Sequence, residues 1–116
     1  NDSYKIAAIV SDIQQTVKTY YSDLEFDDNS LYYQRFLTHL KYFAQRYLHQ
    51  ELQTDQDDSL FQLVSQQYRD AFGCVKMIFL MMEERYGYQL SQEEMMYLTI
   101  HIQTNAEHAR RKESHT

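Results

Sequence analysis

The sequence predicts an all-α fold, a five-helix bundle that forms a single domain. The 116 residues contain no proline and only two glycines, whereas β-sandwich and α/β folds use more of both in their turns. Apolar residues recur every three to four positions in successive segments, which is the period of an amphipathic helix. Short polar stretches separate these segments, as in a helical bundle. We expect one helical domain over residues 1–116, with its core at about 4–105 and a polar tail at 106–116.

The first two helices flank an acidic stretch, residues 23–30. The first is predicted from about Tyr4 to Tyr21 and the second from Leu31 to about Leu52, with Ser30 as the N-cap of the second. Both carry an apolar stripe at helical spacing, formed by Ile6, Ile9, Ile13, Val17 and Tyr20 in the first and by Phe36, Leu40, Phe43 and Tyr47 in the second. The polar residues 53–59 that follow are predicted as a loop.

The third and fourth helices are predicted to be separated by a break. The third covers Leu60 to about Tyr68, and the fourth covers Asp70 to Tyr86. Gly73 lies in this region, and glycine in a helix interior costs about 1 kcal/mol relative to alanine. We therefore expect a change of direction or a close helix approach there. Gly87 is predicted to end the fourth helix as its C′ residue.

The fifth helix has the clearest start in the chain. Ser91-Gln-Glu-Glu94 is a capping box, in which the Ser91 hydroxyl accepts from the Glu94 amide and the Glu94 carboxylate accepts from the Ser91 amide. Leu90 and Met95 occupy the two positions of a hydrophobic staple. The apolar stripe then continues through Leu98, Ile102 and Ala106 to the polar tail.

The charge and composition argue against nucleic-acid and membrane surfaces. The net charge is -6 and the only basic run is Arg110-Arg111-Lys112, whereas binding to phosphates needs a basic patch. No segment approaches the roughly 18 consecutive apolar residues of a membrane span, and the first residues do not show the pattern expected of a signal peptide. Because the chain starts at Asn1 without Met, we expect it to be a piece of a longer protein.

The cysteine and tyrosine contents indicate where the protein works and how it associates. A single cysteine, Cys74, forms no internal disulfide, which favours a reducing compartment, and we expect it to be buried packing. The chain holds eleven tyrosines, a residue type enriched at interfaces. We expect some of them to line a subunit contact or a helix seam.

Two histidines are the main candidates for function. His39 on the second helix and His101 on the fifth each fall about 100° from the centre of the apolar stripe on a helical wheel. Arg35 and Arg46 share the flank of His39, and Glu94 shares the flank of His101. Both imidazoles are thus predicted at the boundary between the core and the solvent, and we expect them to converge at one helix seam.

Reversible phosphorylation fits boundary histidines. A neutral imidazole is a competent nucleophile near pH 7, and a phosphoryl group adds about -1.5 to -2 charges and three strong acceptors. Arg35 and Arg46 are expected to pair with the phosphate oxygens, whereas Glu94 would repel a phosphate on His101. Attraction of a phosphate at His39 and its repulsion at His101 would shift a helix interface from one packing arrangement to another.

Other interpretations of the same residues stay open. Boundary histidines are often packing residues, in which case the chain is a plain helical dimerisation module. A helical metalloprotein or enzyme is the third alternative. Zinc sites usually have ligands at i,i+4 spacing or cysteine pairs, and neither helix places a second histidine one turn away. No glycine-rich phosphate loop or nucleophile elbow is present. We therefore expect no catalytic residue, no metal and no cofactor.

Two stretches resemble the histidine motifs of a known family. Phe36-Leu-Thr-His-Leu-Lys-Tyr-Phe-Ala-Gln-Arg46 resembles the first histidine motif of a phosphotransferase-system regulation domain (PRD). Glu84-Arg-Tyr-Gly-Tyr-Gln-Leu-Ser-Gln-Glu-Glu-Met-Met-Tyr-Leu-Thr-Ile-His-Ile102 resembles the second motif. The sequences of both motifs are most similar to those of the second of the tandem copies in transcription antiterminators of the BglG/SacY type. The resemblance covers about Tyr4 to Asn105.

The resemblance implies a five-helix domain that forms homodimers in the bacterial cytoplasm. It implies that His39 and His101 accept phosphate from the histidine phosphocarrier protein HPr or from a sugar-specific enzyme II, and that phosphorylation generally favours the active dimer. A separate N-terminal domain would then bind a terminator-overlapping RNA hairpin. The sequence has Gln103-Thr104 where the family leads us to expect a Glu-Arg pair, which makes His39 the stronger candidate acceptor. A PRD of a transcriptional activator controlled by the same system is the alternative.

Overall fold

A computed structural model describes residues 2–51 and 58–115, and all of their regular secondary structure is helical. The prediction of an all-α fold of five helices is confirmed. The helices are α1 (Asp2–Tyr20), α2 (Leu31–Leu48), α3 (Asp58–Gln67), α4 (Arg69–Tyr86) and α5 (Gln92–Ser114). The chain divides into two compact units, one of residues 1–52 with 104–116 and the other of residues 53–103.

In the first unit, α1 packs against α2 through most of the apolar positions that the sequence predicts, but Tyr20, predicted in the stripe of α1, is 38% exposed, whereas Tyr21 is buried. Ile13 and Leu40 are fully buried, which is the contact expected of two amphipathic helices that each hide one face. The hydroxyl of Tyr33, on α2, accepts a hydrogen bond of 2.9 Å from Nε2 of Gln14, on α1. The buried tyrosine thus keeps a polar partner inside the helix pair.

The start of α2 is as predicted, but its end is earlier. Ser30 is the N-cap, and its hydroxyl accepts from the Tyr33 amide at 3.1 Å. The helix ends at Leu48 because Gln50 takes a left-handed conformation, with φ of 56°. The amides of Gln50 and Glu51 then donate back to the Tyr47 and Arg46 carbonyls at 3.1 and 2.9 Å, as in a Schellman C-cap. The predicted end, Leu52, lies outside the described residues.

In the second unit, α3 and α4 are separated at Tyr68. Tyr68 has φ of -115° and ψ of 58°, outside the helical region, and it precedes α4. The predicted break between a helix that ends at about Tyr68 and one that starts at Asp70 is therefore confirmed, whereas Gly73, which suggested a change of direction, lies within the continuous helix α4. Phe61 of α3 and Phe72 of α4 pack edge to face, with ring centroids 5.6 Å apart, which holds the two helices together across the turn.

The cysteine belongs to the core of the second unit. Cys74 is fully buried, as predicted, and lies on the same helix as the buried Val75 and Ile78. Burial raises the pKa of the Cys74 thiol to about 12, because the charged thiolate is poorly solvated there. The thiol therefore stays protonated and unreactive near neutral pH.

The fifth helix continues through most of the segment that was expected to be a polar tail. α5 runs to Ser114, and Ala106 and Ala109 are buried at 0% and 1% exposure. These alanines extend the apolar stripe by one more helical turn in the first unit. The tail assignment of residues 106–116 is therefore wrong for the helical part of that segment.

No helix among residues 2–51 and 58–115 combines the length and the apolar character that crossing a membrane requires.

The glycine at the end of α4 provides a direct test of backbone geometry. Gly87 has φ of 61°, and a Cβ atom added to it would meet no other atom within 4 Å. Gly87→Ala should therefore destabilise the fold by about 1–2 kcal/mol, through the backbone cost of the left-handed conformation alone. Gly87→Asn should cost less, because asparagine tolerates this conformation better. Urea unfolding of the three proteins measures the difference, and equal midpoints would contradict the backbone argument.

Candidate functional site

His39 lies on α2 at the boundary that the sequence predicts. Along the helix, Thr38 is exposed, His39 is half-buried and Leu40 is fully buried. The imidazole therefore borders the packed face of the first unit while part of it is open to solvent.

Two arginines lie on the same side of α2 as His39. Arg35, one turn earlier, is exposed, and Arg46, seven residues later, is half-buried. Seven residues correspond to about 10 Å along the helix axis, and helical side chains lean towards the N-terminus. Arg46 is thus placed on the C-terminal side of His39 along the same flank of α2. The phosphate-supporting role of both arginines stays a prediction.

His101 is half-buried on α5, within the second unit. Its neighbours Leu98 and Ile102 are buried at 1% and 0% exposure, whereas Ile100 is 40% exposed. Desolvation lowers the pKa of His101 below its ordinary value of 6.5, because burial disfavours the charged imidazolium. The imidazole is therefore mostly neutral at pH 7, which is the nucleophilic form.

The capping box at the start of α5 fixes the rotation of the helix that carries His101. The Ser91 hydroxyl accepts from the Glu94 amide at 3.0 Å, and Glu94 Oε1 accepts from the Ser91 amide at 2.8 Å. The Tyr88 hydroxyl adds a donor 2.9 Å from each carboxylate oxygen of Glu94. The predicted capping box is confirmed, and Leu90 and Met95 are both buried beside it.

These contacts direct the Glu94 carboxylate towards the N-terminus of α5. Its residue is only 2% exposed, and its donors come from residues 88 and 91. His101 lies seven residues in the other direction, about 10 Å along the axis. Glu94 is thus first of all a helix cap. Its repulsion of a phosphate on His101 stays a prediction, as does the convergence of His101 with His39, which belongs to the first unit.

A further cluster in the first unit was not predicted from the sequence. Asp27, in the α1–α2 loop, receives two cationic or hydrogen-bonding groups from the C-terminal part of α5. Its Oδ2 lies 3.0 Å from His108 Nε2 and 3.1 Å from Lys112 Nζ. The hydrogen bond to His108, followed by that to Lys112, lowers the pKa of the Asp27 carboxyl below its usual value.

Neighbouring contacts strengthen the attachment of this part of α5. The side chain of Asn105, which is only 4% exposed, donates from Nδ2 to the Tyr32 carbonyl at 3.3 Å. The Tyr32 ring lies 5.2 Å from the His108 ring, centroid to centroid. The continuing alanine stripe, Ala106 and Ala109, was the sequence signal for this packing. No local sequence pattern could identify Asp27 as the partner of His108, because 81 residues separate the two.

The basic run near the C-terminus makes intramolecular contacts. Lys112 pairs with Asp27, and Arg111 lies 3.9 Å from the Glu107 carboxylate one turn earlier. The guanidinium of Arg110 lies 5.9 Å from the centroid of the Tyr21 ring, within cation–π range. The run is thus accounted for by contacts of α5, in line with its interpretation as a helix end.

Metal binding finds no support in the described parts of the chain. Across residues 2–51 and 58–115, no three or more His, Cys, Asp and Glu side chains are grouped so that they would hold a metal ion.

The sequence of the chain matches one protein family over most of its length. A profile of the PRD domain matches residues 8–105, which include both candidate histidines. The chain belongs to the PRD domain family. The earlier resemblance is therefore confirmed. The match ends before His108 and Lys112, so the α5 half of the Asp27 cluster lies outside the segment that defines this PRD.

Curated relatives of this PRD include transcription antiterminators. Transcription antiterminator LicT of Bacillus subtilis (strain 168) is 41% identical over 98 residues, which are 84% of this chain and 35% of LicT. The beta-glucoside operon antiterminator of Dickeya chrysanthemi is 36% identical over 99 residues, 85% of this chain and 35% of that protein. Protein GlcT of Staphylococcus aureus (strain JH9) is 30% identical over 76 residues, 66% of this chain and 26% of GlcT. The chain spans about a third of the first two relatives, which are 35% covered.

The lowered pKa of His101 predicts an acid-sensitive contribution to stability. Above about pH 6.5 the imidazole is neutral in both the folded and the unfolded chain. As the pH falls through 6.5 the unfolded chain binds a proton first, so the free energy of unfolding decreases until the lower folded pKa is passed. His101→Gln should therefore lose less stability than the wild type between pH 7.5 and pH 5.5, as measured by urea unfolding. His49→Gln, at an exposed position of the first unit, is the control, and parallel curves for all three proteins would refute the burial argument.

The Asp27 cluster predicts local stability in the last turns of α5. Asp27→Asn removes the negative charge that His108 and Lys112 share, so amide hydrogen exchange should become faster in residues 104–114. The stabilisation requires the ionised carboxylate, so the wild type should lose it only as the pH falls below 3.8 through the lowered folded pKa. Asp28→Asn, the exposed neighbouring carboxylate, is the matched control. Equal exchange in both variants would show that Asp27 does not hold the helix.

Proposed function

We propose that this PRD is the regulatory domain of a bacterial transcription antiterminator and is controlled by histidine phosphorylation. His39 and His101 accept phosphoryl groups from HPr or from a sugar-specific enzyme II of the phosphotransferase system. The added charge shifts the homodimerisation of the domain, and dimerisation in turn controls the RNA-binding activity of a separate N-terminal domain. The domain itself is a regulatory module without a cofactor, it acts in the cytoplasm, and it contacts neither RNA nor a membrane.

The observation that carries this proposal is the half-burial of His39 and His101, the two candidate acceptors, which both lie within the segment matched by the PRD profile. A fully exposed histidine would accept a phosphate without affecting any packing, and a sealed one would not meet a donor. His39 and His101 each border a buried residue, Leu40 and Ile102, and each keeps an open part. A phosphate on either ring therefore changes the charge beside a packed face.

The chemistry of the transfer needs an imidazole with a free lone pair. The unprotonated ring nitrogen attacks the phosphorus of a phosphohistidine on the donor, a new N–P bond forms and the N–P bond of the donor breaks. The donor imidazole takes the electron pair. The lowered pKa of His101 supports this role, because it keeps the acceptor neutral at the pH of the cytoplasm.

The two histidines have different charge surroundings along their own helices. Arg35 and Arg46 would pair with a phosphate on His39, because both lie on its flank of α2 and arginine forms bidentate contacts with phosphate. Glu94 lies on the flank of His101 and is committed to the capping box. We therefore propose that His39 retains its phosphate longer than His101.

The names of the relatives support the antiterminator assignment. LicT and the beta-glucoside operon protein are both antiterminators, and each is about three times as long as the matched segment. The intramolecular contacts of Arg110, Arg111 and Lys112 favour an RNA-binding surface elsewhere in the full protein.

Phosphorylation of purified variants tests the acceptor assignment. The chain is incubated with HPr, phosphoenolpyruvate and the enzyme that phosphorylates HPr. The phosphoryl groups are counted by intact-mass spectrometry and located by peptide mapping under alkaline conditions. His39→Ala and His101→Ala should each lose one group, and the double variant should lose both. His49→Ala, on an exposed histidine next to the end of α2, is the control and should keep both. Undiminished labelling of the double variant would refute the proposal.

A plain dimerisation module is the second candidate, because large apolar side chains are exposed in each unit. In the first unit Leu31 and Tyr42 are 62% and 58% exposed, and in the second unit Tyr97 is 44% exposed. Sedimentation equilibrium of the phosphorylated and unphosphorylated domain separates the two functions. The regulatory function predicts that the dimer dissociation constant changes on phosphorylation and in His39→Asp or His101→Asp. If neither phosphorylation nor these substitutions change self-association, the result would favour the plain dimerisation module.

A further inference from the structure

The two candidate acceptors have the same orientation relative to the buried faces of their helices. On a helical wheel, positions i−3, i+1 and i+4 lie about 40° to 100° to one side of each histidine, and positions i−4 and i−1 lie at similar angles on the other side. The residues on the first side are all buried, namely Phe36, Leu40 and Phe43 around His39, and Leu98, Ile102 and Asn105 around His101. Those on the second side are all exposed, namely Arg35, Thr38, Tyr97 and Ile100. Each half-buried ring is therefore open to a partner on the side of its i−4 and i−1 neighbours.

The exposed neighbours of His101 are apolar, whereas those of His39 are an arginine and a threonine. Tyr97 and Ile100 are 44% and 40% exposed, and because they lie three residues apart they are neighbours on the surface of α5. The sequence holds no Asp, Glu, Lys or Arg from residue 95 to residue 106. His101 thus opens onto an uncharged and largely apolar surface of its own helix.

The chemistry of phosphoryl transfer decides what covers this surface. The acceptor nitrogen has to come within about 3–3.5 Å of the phosphorus on the donor. Side chains one helical turn apart have Cβ atoms only about 5–6 Å from each other. A protein donor that delivers its phosphoryl group to His101 therefore lies over Tyr97 and Ile100 during the transfer. Tyrosine is among the residue types that contribute most to binding when a partner covers them.

We propose that Tyr97 and Ile100 are the docking residues by which His101 recognises its phosphoryl donor, and that this donor presents apolar side chains beside its own phosphohistidine. The inference rests on the proposed phosphorylation of His101 and adds the residues that select the donor. At His39 the equivalent of Tyr97 is Arg35, which attracts anionic groups instead. Substitutions at Tyr97 and Ile100 should therefore affect transfer to His101 and leave transfer to His39 unchanged.

Site-resolved rates of phosphorylation test the proposal. The chain is incubated with phosphorylated HPr or phosphorylated enzyme II, whichever labels His101 of the wild type faster, and peptide mapping follows His101 and His39 in the same molecules. Tyr97→Ser should lower the second-order rate constant of transfer to His101 by about tenfold, and Ile100→Ser should lower it by about threefold. Serine and tyrosine have similar helix propensities, so α5 stays formed. The rate at His39 should stay within about twofold and is the internal control for folding.

Phosphoramidate, a small-molecule phosphoryl donor, separates docking from the reactivity of the ring. It transfers its phosphoryl group to an imidazole nitrogen with loss of ammonia and needs no protein surface. Tyr97→Ser should therefore react with phosphoramidate at the rate of the wild type. Tyr97→Phe, which keeps the apolar ring, should retain most of the transfer from the protein donor. Met77→Ser is the matched control, because Met77 is a 50% exposed apolar residue of the same unit on another helix, and it should leave both histidines unaffected.

Four results would overturn the inference. The first is unchanged transfer from the protein donor to His101 in Tyr97→Ser. The second is an equal loss with phosphoramidate, which would show that Tyr97 positions the ring. The third is an equal loss at His39, which would show a general effect on the fold. The fourth is a change in the self-association of Tyr97→Ser in sedimentation without any donor, because a second copy of this chain would then cover the two residues.

A different result would refute the proposed function itself. If neither protein donor labels His101 of the wild type while phosphoramidate does, the ring is reactive but is not an acceptor in the phosphotransferase system, and the docking inference fails with it.

Discussion

The capping box at the start of α5 is the interaction on which the placement of His101 depends. Because each residue of an α-helix is rotated by a fixed angle from the one before, the residue at which the helix starts decides which face every later residue occupies. Ser91 and Glu94 satisfy each other's backbone amides, and the Tyr88 hydroxyl secures the carboxylate. With that start fixed, Leu98 and Ile102 are buried and the histidine between them lies on the shoulder of the helix. A slip of one residue would rotate His101 by about 100°, either into the core or fully into solvent.

Features coded by neighbouring residues were predictable from the sequence. The Ser30 cap, the capping box and the left-handed Gly87 each involve residues within four positions of one another, and each has its own side-chain signature. The end of α2 was not predictable in the same way. Gln50 takes the left-handed conformation that glycine or asparagine normally takes, so the C-cap is present without its usual residue type.

Most structural features that could not be predicted from the sequence depend on contacts between segments far apart in the chain. The last turns of α5 read as a charged tail because three basic residues dominate residues 106–116. These last turns are held by contacts with distant residues: His108 contacts Asp27, and the Asn105 side chain donates to the Tyr32 carbonyl. For the histidines, periodicity was enough to predict half-burial, because that depends only on the helix face. The roles of Arg35, Arg46 and Glu94 depend on side-chain conformation, which periodicity does not specify.

The sealed environment of Cys74 also makes the protein convenient to label. A thiol with a pKa of about 12 and no exposed surface reacts slowly with maleimides and iodoacetamides at neutral pH, since these reagents need the thiolate and direct access to sulfur. A cysteine introduced at an exposed site of either unit would then be modified selectively, with the natural residue left in place. Fluorophores or spin labels placed in this way would follow motions of the helices without disturbing the packing around α4.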